Sequence, residues 1–119
     1  MPSRFPRWVY GHGDEPDARF TLANERTFLA WTRTALAVIA GGVALEAVAL
    51  PLEPTLRHVA ALVLLLLGLA IPLLAWFGWA RAERAMRERR SLPGSPVSAV
   101  LAAGVTVVAV LLTIGALVR

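Results

Sequence analysis

The 119-residue chain has no cysteine, so a disulfide frame, a thiolate metal site and a thiol nucleophile are all excluded. It also has no lysine. All twelve basic side chains are arginine, which stays charged and can grip phosphate or carboxylate with two parallel hydrogen bonds. Histidine is scarce: His12 and His58 stand far apart, and no zinc pattern forms around either. No Ser–His–acid set can be assembled, and the glycines of the apolar stretches do not make a phosphate loop. The first twenty residues lack the apolar core of a secretory leader. These absences predict a chain that is not an enzyme, with no cofactor, no metal and no nucleic-acid partner.

What is abundant is apolar. Hydrophobic residues make up 57% of the chain and the net charge is +4. The apolar residues fall into three blocks that a soluble domain of this size could not cover, near residues 22–50, 55–80 and 97–118. The helices are expected at about 22–50, 55–90 and 97–118, the second with a charged extension. Each holds the roughly 20 apolar residues that span a bilayer core. The expected architecture is all-α: a flexible cytoplasmic tail over 1–17, then a three-helix transmembrane domain over 18–119. Pro51-Leu52-Glu53-Pro54 forms a firm stop between the first two helices. Pro72, inside the second, predicts a kink or a local break in the hydrogen-bond ladder.

Arginine sets the orientation. Arg4, Arg7, Arg19, Arg26 and Arg33 precede or open the first helix, and Arg81, Arg84, Arg87, Arg89 and Arg90 fill the second loop. Only Arg57 and Arg119 fall on the other side. The bias puts the N-terminus in the cytoplasm, the C-terminus outside and the chain in a plasma membrane as a multi-pass protein. Trp8-Val9-Tyr10 suits either the headgroup layer or a free tail. Asp14, Glu15 and Asp17 read as a solubilising patch, and the basic second loop suits contact with anionic lipid.

Arg19, Arg26 and Arg33 are seven residues apart and fall on one helical face, which continues as Ala37, Ala40, Gly41, Ala44 and Ala47. Small residues at that spacing let helices approach closely in lipid. The third helix carries a similar stripe of Ala99, Ala102, Thr106, Ala109, Thr113 and Ala116, and the second offers Ala61, Gly68 and Ala75. These faces either pack within one subunit or join copies into a homo-oligomer.

Two readings of the arginines stand side by side. Arg19, Arg26, Arg33 and Arg81 form a cationic vestibule for an anion, or Glu25 and Glu83 pair with Arg26, Arg33, Arg81 or Arg84 and tie the first two helices together. Counting back about 20 residues from the outer end sets Arg33 at the inner boundary of the hydrocarbon, where it can snorkel. Glu46 either binds a cation or proton or reaches the outer interface.

The run Leu22-Ala23-Asn24-Glu25-Arg26-Thr27-Phe28-Leu29-Ala30-Trp31-Thr32-Arg33-Thr34 resembles the signature of the bacterial YidH family of small inner-membrane proteins. That family carries the domain of unknown function numbered 202. The likeness extends over nearly the whole layout, and it is similar to the membrane part of the vacuolar transporter chaperone complex. The resemblance implies a pentamer around a path for phosphate or polyphosphate. Arg19 and Arg26 match the lining positions, Arg81 matches with a shift of one place, and Arg33 belongs to the bacterial form of the motif. It also implies no polyphosphate synthesis by this chain alone. The alternative is a structural or assembly subunit of a membrane complex.

Overall fold

A computed structural model describes residues 4–119. Four helices account for most of it: α1 (Arg7–Tyr10), α2 (Ala18–Ala47), α3 (Pro54–Arg87) and α4 (Val97–Leu117). The last three are each long and apolar enough to cross a membrane. The molecule is drawn out to 61 Å along its long axis and is only 25 by 21 Å across.

The boundaries follow local chemistry. α2 begins at Ala18, before the apolar run itself, because the Asp17 carboxylate accepts from the Arg19 N–H at 2.9 Å and caps the free first turn. Its far end stops at Ala47, short of the expected Leu50, where Val48 turns extended. α3 starts on Pro54, whose fixed φ suits a first turn, with Glu53 capping Leu56 N–H at 2.8 Å. It is helical through Pro72, where the missing N–H leaves only the Gly68 carbonyl without its usual partner. α3 ends at Arg87, and Arg89 takes a φ of 55° in the turn that follows.

α3 is the central element. α2 and α4 both pack on it and do not approach each other at backbone level. From α2, Thr21, Asn24, Phe28, Trp31, Ala35, Val38, Gly42 and Leu45 point inward, alternating three and four residues apart, the spacing of a helix–helix seam. Gly68 lets α2 close in: a Cβ there would collide with Ile39 and meet the Ala35 carbonyl at 3.4 Å. On the other side Leu67 fits against Gly104 of α4. The α3 stripe of Ala61, Gly68 and Ala75 is thus consumed inside the subunit. The α4 stripe is not. Ala99, Ala102, Thr106, Ala109, Thr113 and Ala116 all remain exposed.

α4 fixes the membrane frame. Its 21 residues make a rod about 31 Å long, the thickness of a hydrocarbon core. One end, Val97, shares a cluster with Ala35 and Ile71, against which Trp31 and Leu74 pack. At the other, the Gly115 carbonyl accepts from Glu53 N–H at 3.1 Å. The boundary near the arginine-rich end therefore runs through Trp31, Leu74 and Val97. Trp8, Trp76 and Trp79 stand just beyond it, as interfacial tryptophans do.

The segment expected as a flexible tail is built into the structure from Arg4 on; its first three residues lie outside the described part. Val9 is fully buried, and Trp8 lies under the Arg84 guanidinium, 4.6 Å from the ring centre. Asp14 N–H bonds the Arg87 carbonyl at 2.9 Å across the end of α3. Gly13, at a φ of 64°, leaves room for that approach, since a Cβ would strike the Arg87 backbone.

Candidate functional site

The arginine-rich end is two helices, α2 and α3, continuing beyond the lipid. Between them lies Glu83, 1% exposed. Among the described residues no guanidinium pairs with it. Thr21 Oγ1 donates to it at 2.9 Å, and Asn24 Nδ2 reaches it at 3.3 Å while also donating to the Trp79 carbonyl at 3.0 Å. Glu83 does tie the first two long helices, but through neutral donors, which corrects the expected arginine pairing. A carboxylate buried this deeply needs such donors to offset its lost hydration. Beside it, the Tyr10 hydroxyl titrates above its ordinary value, mainly through burial and then through the charge of Glu83.

One turn further on, Arg87 is 7% exposed. Its guanidinium donates to the carbonyls of His12 (2.9 Å) and Tyr10 (3.2 Å) and to the Glu15 carboxylate (3.0 Å). Glu15 also pairs with Arg4. The acidic patch thus divides into a strap anchor, Glu15, and a helix cap, Asp17. The signal for this was Glu83 and Arg87 four residues apart on one side of an arginine-rich helix end.

The four arginines proposed as a vestibule separate into three situations. Arg19 is held by Asp17, with Nη2 at 3.0 Å from the carboxylate. That hydrogen bond, chiefly, keeps the Asp17 carboxyl below its usual range. Arg26 and Arg33 are exposed and form no ion pair among the described residues. They lie on the side of α2 about 170° from its seam, directed away from the subunit. Arg81 is also exposed and unpaired, but it sits about 160° round α3 from Glu83, on the opposite flank of the molecule. One subunit therefore does not bring Arg81 together with Arg26 and Arg33. Glu25 is exposed and makes no ion pair among the described residues, and Arg84 pairs with Glu88 at 2.9 Å instead of with Glu83.

Depth explains why Arg33 is tolerated. It lies between Trp31 and Ala35, at the boundary set by α4. Side chains lean toward the N-terminus of their helix, which for α2 is the arginine-rich, aqueous end. Ala37, Ala40, Ala44 and Ala47 continue the same outward side into the lipid and are all exposed. At the far end Glu46 meets His58 at 2.7 Å, bridging α2 and α3, and Arg57 Nη1 donates to the Val48 carbonyl at 3.0 Å. That places Glu46 in a hydrogen bond to His58 at the end of the helices opposite the arginine-rich loop.

A family model described as a domain of unknown function, DUF202, matches residues 19–85, more than half of the chain and the whole span from Arg19 past Glu83. The chain belongs to the DUF202 family. Among similar proteins, the uncharacterized protein Rv2272 of Mycobacterium tuberculosis strain H37Rv is 47% identical over 97 residues, covering 81% of this chain and 80% of that protein. The inner membrane protein YidH of Escherichia coli K12 is 46% identical over 82 residues, 68% of this chain and 71% of its own. No solved structure matches. With three apolar spans and this relative, the chain is a multi-pass inner-membrane protein of the YidH and DUF202 family.

Proposed function

We propose that this DUF202 chain assembles with copies of itself through the outward side of α2, setting Arg26 and Arg33 along a path for an anion. One observation carries the reading. Two guanidiniums without a carboxylate partner share a helix face with exposed alanines, and that face is turned away from the chain's own core. Small residues are what a second helix in lipid needs for close approach, and partly dehydrated arginines attract phosphate-like groups strongly. The path narrows from the earlier set of four to Arg26 and Arg33, with Arg19 restrained by Asp17 at its mouth. Phosphate or polyphosphate is the favoured anion and a pentamer the favoured assembly, both on the family resemblance.

The test is flux of phosphate and of short polyphosphate from liposomes holding the full chain. Arg26→Glu with Arg33→Glu is expected to abolish it, with helicity unchanged. Flux that survives the double reversal, or a wild type that conducts neither anion, ends the reading. The second reading is a structural subunit without transport. The internal anchoring of the N-terminal segment by Arg87 favours it, because that is rigidity spent away from the α2 face.

A further inference from the structure

The flank of α3 opposite α2 carries two adjoining hollows that the proposed path does not use. The lower one, about 520 Å³, is apolar and lined by Pro6, Trp8, Trp76, Phe77, Ala80 and Arg81. The upper one, of about the same volume, is polar and is bordered by Trp8 and Arg81 again, with Arg84, Arg90 and Glu88. Trp8 and Arg81 therefore stand at the junction of a greasy groove and a basic basin. We infer that this pair of hollows is a binding site for one anionic phospholipid of the leaflet on the arginine-rich side, its phosphate in the basin and an acyl chain along the groove.

Charge supports the basin. Three guanidiniums border the basin and two of them share its one carboxylate: Glu88 accepts from Arg84 at 2.9 Å and from Arg90 at 2.8 Å, and Arg81 has no acidic partner among the described residues. Burial of Glu88 works against its ionisation, yet the hydrogen bonds from Arg90 and Arg84 outweigh it and hold the carboxyl below its usual range. The basin thus keeps a fixed positive excess. Arg84 is pinned over Trp8 at 4.6 Å, so the basin wall is preorganised.

Position supports the groove. Leu66, Leu69, Leu73 and Phe77 are each more than half exposed and fall on one side of α3. They form a continuous apolar track from the membrane interior to Trp76, whose ring meets Phe77 edge-on at 5.3 Å. Arg81 is seven residues, about 10 Å, beyond the boundary residue Leu74. Because α3 runs toward the arginine-rich end, its side chains lean back toward the bilayer. The Arg81 guanidinium is thereby aimed at the headgroup layer, the reverse of Arg26 and Arg33 on α2. A soluble anion would gain nothing from the track below. A lipid uses both halves.

The test is native mass spectrometry of the purified full chain in mild detergent, offered phosphatidylglycerol or phosphatidylcholine at equal amounts. Phosphatidylglycerol is expected to be retained preferentially. Retention should fall about fivefold for Arg81→Gln and about thirtyfold for Arg81→Gln with Arg90→Gln, following the usual contribution of one guanidinium near anionic lipid. Arg26→Gln, on the other flank, is expected to leave it unchanged, which separates this site from the proposed path. Equal retention of the two lipids overturns the inference, as does loss through Arg26→Gln alone. Full displacement of phosphatidylglycerol by millimolar inorganic phosphate also overturns it, because the basin would then serve free anions. Should the double variant lose helicity, Arg81→Gln alone decides, since that exposed side chain makes no hydrogen bond or ion pair among the described residues.

Discussion

At the scale of single residues, what matters is whether a charged group is compensated by another charge or only by dipoles. Glu83 belongs to the second kind: Thr21 and Asn24 donate to it, and if it goes Thr21 loses its acceptor while Asn24 keeps only the Trp79 carbonyl. Glu83→Leu should therefore destabilise the α2–α3 pair by about 1–3 kcal/mol, because it strands the part-buried Thr21 hydroxyl as well as removing the bond to Asn24. Glu83→Gln keeps an acceptor oxygen in place and should cost clearly less. Thermal unfolding in detergent, followed by helicity, separates the two. Equal losses would mean that the site needs the charge and not the acceptor. Little of this was readable beforehand. The tail residues Tyr10, His12 and Glu15 are polar and flanked by glycine and proline, which locally describes a loose segment. Their partner Arg87 lies at the far end of α3, and only the antiparallel return of that helix brings it back.

At the scale of helices, local chemistry sets the ends and packing sets the middles. The cap on α2 titrates. Asp17 has a folded pKa below its ordinary value, chiefly through the side-chain bond from Arg19. Its contribution is therefore complete above the unfolded value and is lost as pH falls through the lower, folded one. The first turn of α2 should stay protected from hydrogen exchange at mildly acidic pH and fray only in stronger acid. Fraying already near neutral pH would contradict the capped geometry. In the middle of the seam, Gly68→Ala drives a methyl into Ile39 and should cost about 1–3 kcal/mol by overpacking. Gly94→Ala meets nothing within 4 Å and should be close to neutral in the same unfolding assay.

The three spans were legible because an unbroken apolar run has no other home. The faces were only half legible. A stripe of small residues says that something packs closely without saying what. On α3 the stripe is filled by this chain's own helices, whereas on α4 it is left bare, as it is on α2 at Ala37, Ala40, Ala44 and Ala47 but not at Gly41, which faces Leu64. The distinction depends on which side of α2 carries the seam. That side is marked by Phe28, Trp31, Val38 and Leu45 as much as by the lipid-facing leucines, so sequence alone does not tell them apart.

At the scale of the molecule, a central α3 flanked by α2 and α4 is an open arrangement, with two small-residue faces and no third helix to cover them. Lipid can cover them, but alanine offers lipid less contact than leucine does. A second copy of the chain fills such a face better, because its backbone can come closer. The absence of cysteine makes this directly measurable, since any introduced thiol is unique. Ala40→Cys, seven residues beyond Arg33 on the same outward side, should form disulfide-linked dimers in native membranes under mild oxidation. Two such thiols must sit on backbones within about 7 Å of each other, which only helices in direct contact achieve. Leu66→Cys, on the α3 track assigned to lipid, should remain monomeric under the same treatment. Dimers from Leu66→Cys and none from Ala37→Cys, Ala40→Cys, Ala44→Cys or Ala47→Cys would move the contact between copies to α3. Arg26 and Arg33 would then face lipid headgroups, and the anion path would lose its wall.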